Sequence, residues 1–386
     1  MKPVYILIII SIGFLTSCYK VYEPKNDKGQ NVLVVNGMIT NKTEAYHIML
    51  SIADPYNSSA STEPSGGASI YVTDDLGNHY SFNEVHKGDY SSDSMQFTGQ
   101  PGRKYRLHIV TSDGTEYESA IQRLFPEVSP ESVYAEFNTN ITLDKNTGLK
   151  VITHGADIFA DIPNSSDTIP QFRFTSNLVT QYYYYLSYLL RWDILLTFHY
   201  YCWVTVNSNA NINLTGVDYS VNSASVRKHP VCFLDNNYTV YAPVYDLKLN
   251  LKDTTDVKDE TGYRDYNIHH RILYLNQYTL NNDTYQYYKS LDAQMQSEGK
   301  LFDPIAAQLT GNIKCITDPN KKVIGFFEAS SVNYSAYIVD FRNLSNSQPS
   351  LTNTPYILPP ELVGCVINRL GSPHQDHNIP LFWIFI

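Results

Sequence analysis

Cys18 is the residue whose surroundings most clearly predict chemistry. It follows Lys2, an apolar run over residues 4–15 and two small residues. A basic start, a hydrophobic stretch of about a dozen residues and small residues at its end are typical of a secretory signal peptide. The run is too short to span a bilayer, which takes roughly 20 apolar residues. We therefore expect residues 1–17 to be a signal peptide that is removed on export.

The four residues Leu15-Thr16-Ser17-Cys18 resemble the bacterial lipobox, in which the cysteine thiol takes a diacylglyceryl group and becomes the mature N-terminus. Each acyl CH₂ buried in a membrane contributes about 0.8 kcal/mol, so several long chains such as palmitate hold a protein firmly. The motif predicts a lipoprotein anchored at Cys18. A plain signal peptide followed by an incidental cysteine is the alternative.

The remaining four cysteines are consistent with export; they are Cys202, Cys232, Cys315 and Cys365. An even number of cysteines in an oxidising compartment allows two disulfides, in three connectivities between which the sequence does not choose. Buried free thiols are the alternative. Their spacing contains no C-x-x-C pair, so a zinc knuckle is not predicted.

The sequence patterns of the other possible catalytic or metal-ligating residues favour structural roles. His374, Asp376 and His377 are close in sequence, but in a strand His377 would face away from the other two. We expect a solvated polar loop there. His269 and His270 would likewise face opposite sides of a strand. The sequence contains no G-x-S-x-G, H-E-x-x-H, P-loop or EF-hand pattern, so we predict no catalytic residue, no metal and no cofactor.

An aromatic segment over residues 181–203 is the best candidate for a binding surface. The candidate residues are Tyr182, Tyr183, Tyr184, Tyr185, Tyr188 and Trp192. Aromatic rings give a large contact area with few rotatable bonds. Core packing of the same rings is the alternative. Charged residues interrupt the segment, and charges at a bilayer centre are costly, so a membrane span is not expected.

A β-rich fold must position these residues. The chain has 386 residues, including 32 tyrosines, and a formal net charge of −10. Tyr and Thr suit the pleated, half-buried surfaces of sheets. Negative charge opposes binding to the phosphates of nucleic acid. We therefore expect a mostly β protein that does not bind nucleic acid.

Two domains are expected after a polar tether at residues 18–30. Six or seven short strand-like runs fall within residues 31–125, and Asp113-Gly114 between two of them is typical of a hairpin turn. Short strands separated by turns predict an immunoglobulin-like β-sandwich there. A proline-containing linker then leads to a larger β-rich domain at residues 131–386.

One amphipathic helix is predicted in the second domain. Asn281 can cap its start and Gly299 can cap its end. The apolar stripe on one face consists of Tyr285, Tyr288, Leu291 and Met295. A stripe with this spacing favours core packing over a ligand site.

Several segments around this helix occur together in one order. They are residues 277–280, 299–304, 311–313 and 323–332, with residues 34–37, 102–107 and 202–203 upstream. Together they resemble a family of Bacteroidetes lipoproteins known as domain of unknown function 4249. The C-terminus departs from that family, because Cys365 stands where two close cysteines are common.

The resemblance implies an outer-membrane lipoprotein, often encoded beside a TonB-dependent receptor, and it supplies no catalytic residues. We therefore expect a non-catalytic accessory of a TonB-dependent uptake system that captures a solute or docks on the receptor. A structural or adhesive cell-surface lipoprotein is the alternative, and a hydrolase acting on exported polymers is the least favoured. A single acid, Glu23, closely follows Cys18, which leaves open whether the protein faces the cell surface or the periplasm.

We predict that Cys18→Ala releases the protein from membranes, because the thiol that carries the lipid is gone. Sedimentation of membranes and immunoblotting of both fractions check this, together with metabolic incorporation of an alkyne-labelled fatty acid. The control Cys232→Ala should stay labelled and membrane-bound. A Cys18→Ala protein that still sediments and still takes the label would contradict the anchor.

Overall fold

The computed structural model describes twelve stretches of the chain. They are residues 32–53, 63–144, 147–163, 171–190, 195–207, 212–216, 225–235, 257–259, 267–296, 309, 311–341 and 350–354. Most of the described residues lie in strands and one helix is present among them, so the predicted mostly β class is confirmed. Among these residues, no helix has the length and apolar character needed to cross a membrane.

The described residues contain twenty-one strands and one helix. The first nine strands are β1 (Val32–Ile39), β2 (His47–Ala53), β3 (Glu63–Pro64), β4 (Ser69–Asp74), β5 (His79–His86), β6 (Asp89–Ser92), β7 (Lys104–Val110), β8 (Glu116–Ser119) and β9 (Gln122–Arg123). The others are β10 (Ser132–Leu143), β11 (Lys150–Ile162), β12 (Gln171–Leu190), β13 (Leu195–Asn207), β14 (Asn213–Gly216), β15 (Val226–Asp235), β16 (Val257–Asp259), β17 (Asn267–Thr279), α1 (Asn282–Gln296), β18 (Ile313–Cys315), β19 (Val323–Ala329), β20 (Ser331–Asp340) and β21 (Ser350–Thr354).

Eleven strands form one curled sheet, called here the barrel sheet. Its order is β18-β8-β7-β4-β5-β6-β2-β1-β19, with β3 added to β2 and β9 added to β7. The end strands β18 and β19 contact each other, so the sheet is a nearly closed barrel. This single connected sheet does not confirm the two-sheet immunoglobulin-like sandwich predicted at residues 31–125. Two of its strands, β18 and β19, come from the range predicted as the second domain.

Period-two alternation places the core of the barrel sheet on one face. Along β7, Tyr105, Leu107 and Ile109 are buried, whereas the residues between them are more exposed. These side chains belong to one continuous apolar cluster that also includes buried residues of β18 and β19. The predicted hairpin turn at Asp113-Gly114 is confirmed, since the Thr111 N–H donates to the Thr115 carbonyl across it.

Gly325 allows the barrel sheet to close through β1 and β19, which pair in parallel. Its φ is +127°, and a Cβ at this position would overlap the backbone carbonyl of Val35. Gly311 packs against Gly325 equally closely. Backbone in contact with backbone leaves no flexible side chain that could move aside, so closure requires glycine here.

Two further sheets pack face to face in the second half of the chain. One has the order β10-β11-β15, and the other has the order β13-β12-β17-β20-β21, with β14 and β16 paired to β12. Their shared core includes Ala156 and Ile158 from β11, Phe172 and Leu178 from β12, and Leu275 from β17. We call this pair the sheet sandwich.

Helix α1 begins as predicted. The Thr284 N–H donates to Oδ1 of Asn281 at 2.9 Å, which confirms the cap. Asn281 also donates to Gln122 of β9 at 2.8 Å, so the same residue ties the helix to the barrel sheet. Tyr285 is buried, but Met295 is exposed. The predicted stripe therefore packs at the start of the helix and not at its end.

We predict that Gly325→Ala destabilises the protein by about 4 kcal/mol or more, or prevents folding, because of the backbone overlap. The matched control is Gly114→Ala. Gly114 also has positive φ, but no atom lies within 4 Å of a Cβ there, so only the conformational cost of roughly 1–2 kcal/mol applies. Urea unfolding followed by intrinsic fluorescence measures both. Equal losses would show that the close approach to Val35 is unimportant.

Candidate docking surface

The hairpin of β10 and β11 extends beyond the sheet that supports its base. The two strands pair in an unbroken antiparallel register along their whole length. β15 covers β11 only between Gly155 and Ile162. Beyond Gly155, residues 137–143 of β10 and 150–154 of β11 form a two-stranded structure with no third strand among the described residues, called here the ribbon.

One face of the ribbon carries large exposed apolar side chains. Phe137, Ile141, Leu143 and Ile152 lie on the same side, by the alternation of each strand and the pairing between them. Their exposed fractions are 41%, 54%, 69% and 49%. At the base of the hairpin the same face is buried, at Ala135 for example. A contiguous exposed apolar patch of this kind marks an interaction site, and we call it the apolar ribbon face.

The other side of the hairpin is polar towards its base. Asn138 donates to the Asp157 carboxylate at 2.6 Å, and Lys228 of β15 forms an ion pair with Glu136 at 2.7 Å. The first contact joins neighbouring strands, the second reaches from β15 across β11 to β10, and both are open to solvent. Towards the tip this side also carries an apolar residue, Val151, which is 41% exposed.

The predicted aromatic residues lie on a second hairpin. Residues 182–185 and Tyr188 are on β12, whose backbone pairs with β13 over Asn177–Leu189. β17 follows β12 only as far as Tyr183, so the rest of this hairpin also extends past the sheet. The side chains of these tyrosines and the whole of Trp192 lie outside the described residues. Their role as a binding surface stays a prediction.

Both hairpins leave the sheet sandwich at the same end. Near the other end, His229 of β15 stacks on Phe174 of β12, with ring centroids 5.2 Å apart. Further along, the carbonyl of Asp235, at the end of β15, accepts a hydrogen bond from Arg271, which pairs with Thr180. β11 and β12 therefore continue in the same direction past this point, which we call the hairpin end.

The hairpin end and the start of β1 lie at opposite ends of the strand path. β1 runs parallel to β19, and its last residue pairs with Ala329. A single residue, Ser330, separates β19 from β20. β20 then runs beside β17 from Thr279 to Ile272, next to Arg271 at the hairpin end. The predicted lipid tether, which precedes β1, thus joins the molecule far from the ribbon along the strands.

A buried ion pair joins the barrel sheet to the sheet sandwich. Arg173 of β12 lies 3.3 Å from Glu328 of β19. The guanidinium lies over the rings of Tyr278 and Tyr288, at 4.1 and 4.6 Å from their centroids. The hydroxyl of Tyr288, on α1, donates to Glu328 at 2.7 Å. We call these four residues the arginine cage.

Burial and charge act together in the arginine cage. Burial works against the charged form of Arg173, but Glu328 outweighs it and raises the pKa of the guanidinium above its usual range. Burial raises the pKa of Tyr288 well above its ordinary value, and the nearby Glu328 charge adds to this. Arg173 therefore stays charged and Tyr288 stays neutral. The cage is largely buried and bridges the barrel sheet and the sheet sandwich.

A hydroxyl, an imidazole and a carboxylate meet on the outer face of the barrel sheet. His108 contacts Thr73 at 3.0 Å and Glu118 at 3.2 Å, and its ring stacks on Tyr71 at 4.7 Å. Burial lowers the pKa of His108, partly offset by Glu118. The residues lie on the adjacent strands β4, β7 and β8, so sheet pairing accounts for their contact. The arrangement of these residues does not indicate a particular reaction.

Two of the predicted disulfide cysteines are free thiols, Cys232 on β15 and Cys315 on β18. Burial raises the pKa of the Cys232 thiol to about 11, so it is protonated and unreactive at neutral pH. Cys18, Cys365 and the side chain of Cys202 lie outside the described residues. The lipidation and the disulfides stay predictions.

The histidine groups of the sequence do not form a metal site in the described part of the chain, where no three metal-ligating side chains converge. His269 and His270 lie on β17, and only their backbone is described. Residues 374–377 lie outside the described residues.

A family model described as domain of unknown function (DUF4249) matches residues 19–335. The chain belongs to this family. The match confirms the resemblance found in the sequence, and it spans the barrel sheet, the ribbon and all four residues of the arginine cage. Comparisons with curated proteins and with solved structures found no match. Members of this DUF4249 family are defined by sequence, so the geometry above carries the functional argument.

The apolar ribbon face was not singled out from the sequence, although a signal was present. Val133, Ala135, Phe137, Ile141 and Leu143 occupy alternate positions and predict one apolar face of a long strand. The alternation does not distinguish the part of β10 whose apolar side chains are buried from the part whose apolar side chains are exposed.

We predict that Arg173→Ala destabilises the protein by about 3–5 kcal/mol, because it leaves Glu328 buried and unpaired. The control Arg227→Ala removes an ion pair with Glu131 in which both side chains are more than half exposed, and it should change stability by about 0.5 kcal/mol or less. Chemical denaturation compares the two variants. Equal stability would show that the arginine cage does not hold the two halves together.

Proposed function

We propose that this DUF4249 protein is a lipid-anchored, non-catalytic docking protein of the outer membrane and an accessory of a TonB-dependent receptor. The observation that carries the proposal is the apolar ribbon face. Four large apolar side chains at 41–69% exposure are costly on an exported protein unless a partner covers them.

The shape of the ribbon favours docking on a protein over solute capture. Small-molecule sites are concave and enclose most of the ligand surface. At 41–69% exposure, the side chains of the apolar ribbon face lie on an open strip and are not enclosed. An open apolar strip fits a groove or an edge of another protein, and the receptor is the partner that the family resemblance suggests.

The anchor gives the docking its context. Fourteen residues from Cys18 to residue 31 precede β1, and an extended chain of that length reaches at most about 50 Å. Attachment to the membrane of the receptor confines both partners to one surface and raises their effective concentration. A modest docking affinity is then sufficient for a stable pair.

An adhesive surface protein remains the alternative, and one observation favours it. The hairpin end is remote from the tether along the strand path, as in a protein that presents its binding surface outward. In that case the barrel sheet acts as a spacer and the ribbon binds a partner outside the cell.

We predict that epitope-tagged protein, recovered from gently solubilised outer membranes, brings down a TonB-dependent receptor in a stoichiometric amount by mass spectrometry. The Cys18→Ala protein, which lacks the shared membrane, should recover far less. Recovery of the lipoprotein alone, together with normal uptake and defective attachment in a deletion strain, would reject the accessory function and support adhesion.

A further inference from the structure

We infer that the outer edge of β10 binds an extended segment of a partner protein as an added β-strand. The inference rests on the proposed docking function and specifies its chemistry. The partner contributes an extended polypeptide with apolar side chains at alternate positions, and main-chain hydrogen bonds join it to β10.

β10 is the edge strand of the sheet β10-β11-β15. Its other side has no pairing strand among the described residues; β21 approaches β10 but pairs with β20. β10 is twelve residues long, whereas proteins usually keep edge strands short or protect them. A long edge strand is a template for strand addition.

The direction of the backbone groups follows from the hairpin register. The N–H of Asp144 donates to the Leu149 carbonyl and thus points inward to β11. Successive residues of a strand point their N–H and C=O groups in opposite directions. Thr139 agrees, because its N–H donates to the Asn138 side chain and not to β11. The residues of β10 in the ribbon whose main-chain N–H and C=O groups point outward, away from β11, are therefore Phe137, Thr139, Ile141 and Leu143.

Backbone and side chains therefore select the same residues. Phe137, Ile141 and Leu143 have outward main-chain groups and exposed apolar side chains. An added strand would form hydrogen bonds with these main-chain groups and cross-strand apolar contacts with these side chains. Ile152, on β11, shares the face, but its own main-chain groups point away from β10, towards the opposite edge of the ribbon.

The charge of the molecule argues for a protein partner over a bilayer. Lys228, beside the ribbon, is paired with Glu136, so this cation is neutralised by a neighbouring carboxylate. The formal net charge of −10 also opposes binding to anionic lipid.

The test uses the full mature chain and a soluble labelled peptide of alternating valine and threonine with lysines at both ends. We expect the peptide to bind by fluorescence anisotropy and to protect the outward amides of residues 137–143 from hydrogen exchange. Ile141→Pro removes one outward N–H without touching the bonds to β11, and it should weaken binding at least 10-fold. Asn140→Ala, on the polar face, should bind like the wild type.

Two further measurements keep the outcomes separate. Ile152→Ser should weaken binding less than Ile141→Pro, and a peptide methylated on alternate backbone nitrogens should not bind. Binding of the methylated peptide, normal binding by a folded Ile141→Pro protein, or no binding by the wild type would overturn strand addition. So would a dimer of the protein alone that Ile141→Pro dissolves, since a second copy would then occupy the edge.

This test does not involve the receptor, so its failure differs from failure of the proposed function. If the tagged wild type recovers the receptor and Ile141→Pro recovers it equally, docking stands and strand addition is wrong. If the peptide results hold but no receptor is recovered, the edge binds a strand of another protein and the accessory function is wrong.

Discussion

The two halves of the molecule depend on one buried ion pair. Arg173 and Glu328 are about 12% and 3% exposed, respectively, and neither charge would be tolerated there without the other. The rings of Tyr278 and Tyr288 complete the enclosure. Because these residues lie on three strands of two sheets and on α1, the cage links the barrel sheet, the sheet sandwich and the helix. Hydrogen bonds between uncharged groups, such as Asn281 with Gln122 and the Val332 N–H with Asn41, support the same junction.

Local structure was predictable from the sequence because its causes are local. The Asp113-Gly114 turn, the Asn281 cap and the alternation of β7 each depend on a few neighbouring residues. Pairing partners are not local. The barrel sheet pairs β18 with β8, about 200 residues earlier, and β19 with β1, about 290 residues earlier, and no composition change marks the exchange. The predicted division into residues 31–125 and 131–386 follows chain order, so it assigns β18 and β19 to the wrong side of the boundary.

The candidate site shows the same limit in another form. The alternating residues of β10 predict an apolar face, yet they are equally suited to a covered and an uncovered strand. Ala156 and Ile158, near the base of the hairpin, are buried against the facing sheet, whereas Ile141 is not, and this packing depends on strands far apart in sequence. The tyrosines of β12, by contrast, stand out by composition. Their conspicuous sequence carries less information about function than the less conspicuous alternation of β10.

The outer edge of β10 has one backbone amide that is already hydrogen-bonded and apolar side chains that are exposed. The Asn138 side chain accepts the outward N–H of Thr139 at 2.7 Å, which satisfies one amide that would otherwise attract another chain. A partner carbonyl can replace that oxygen, so the exchange conserves hydrogen bonds and costs little. The apolar side chains of Phe137 and Ile141, on both sides of Thr139, remain 41% and 54% exposed. The Thr139 amide, capped by Asn138 and flanked by exposed Phe137 and Ile141, therefore disfavours non-specific strand pairing. A partner strand with matching apolar residues can still pair with this edge.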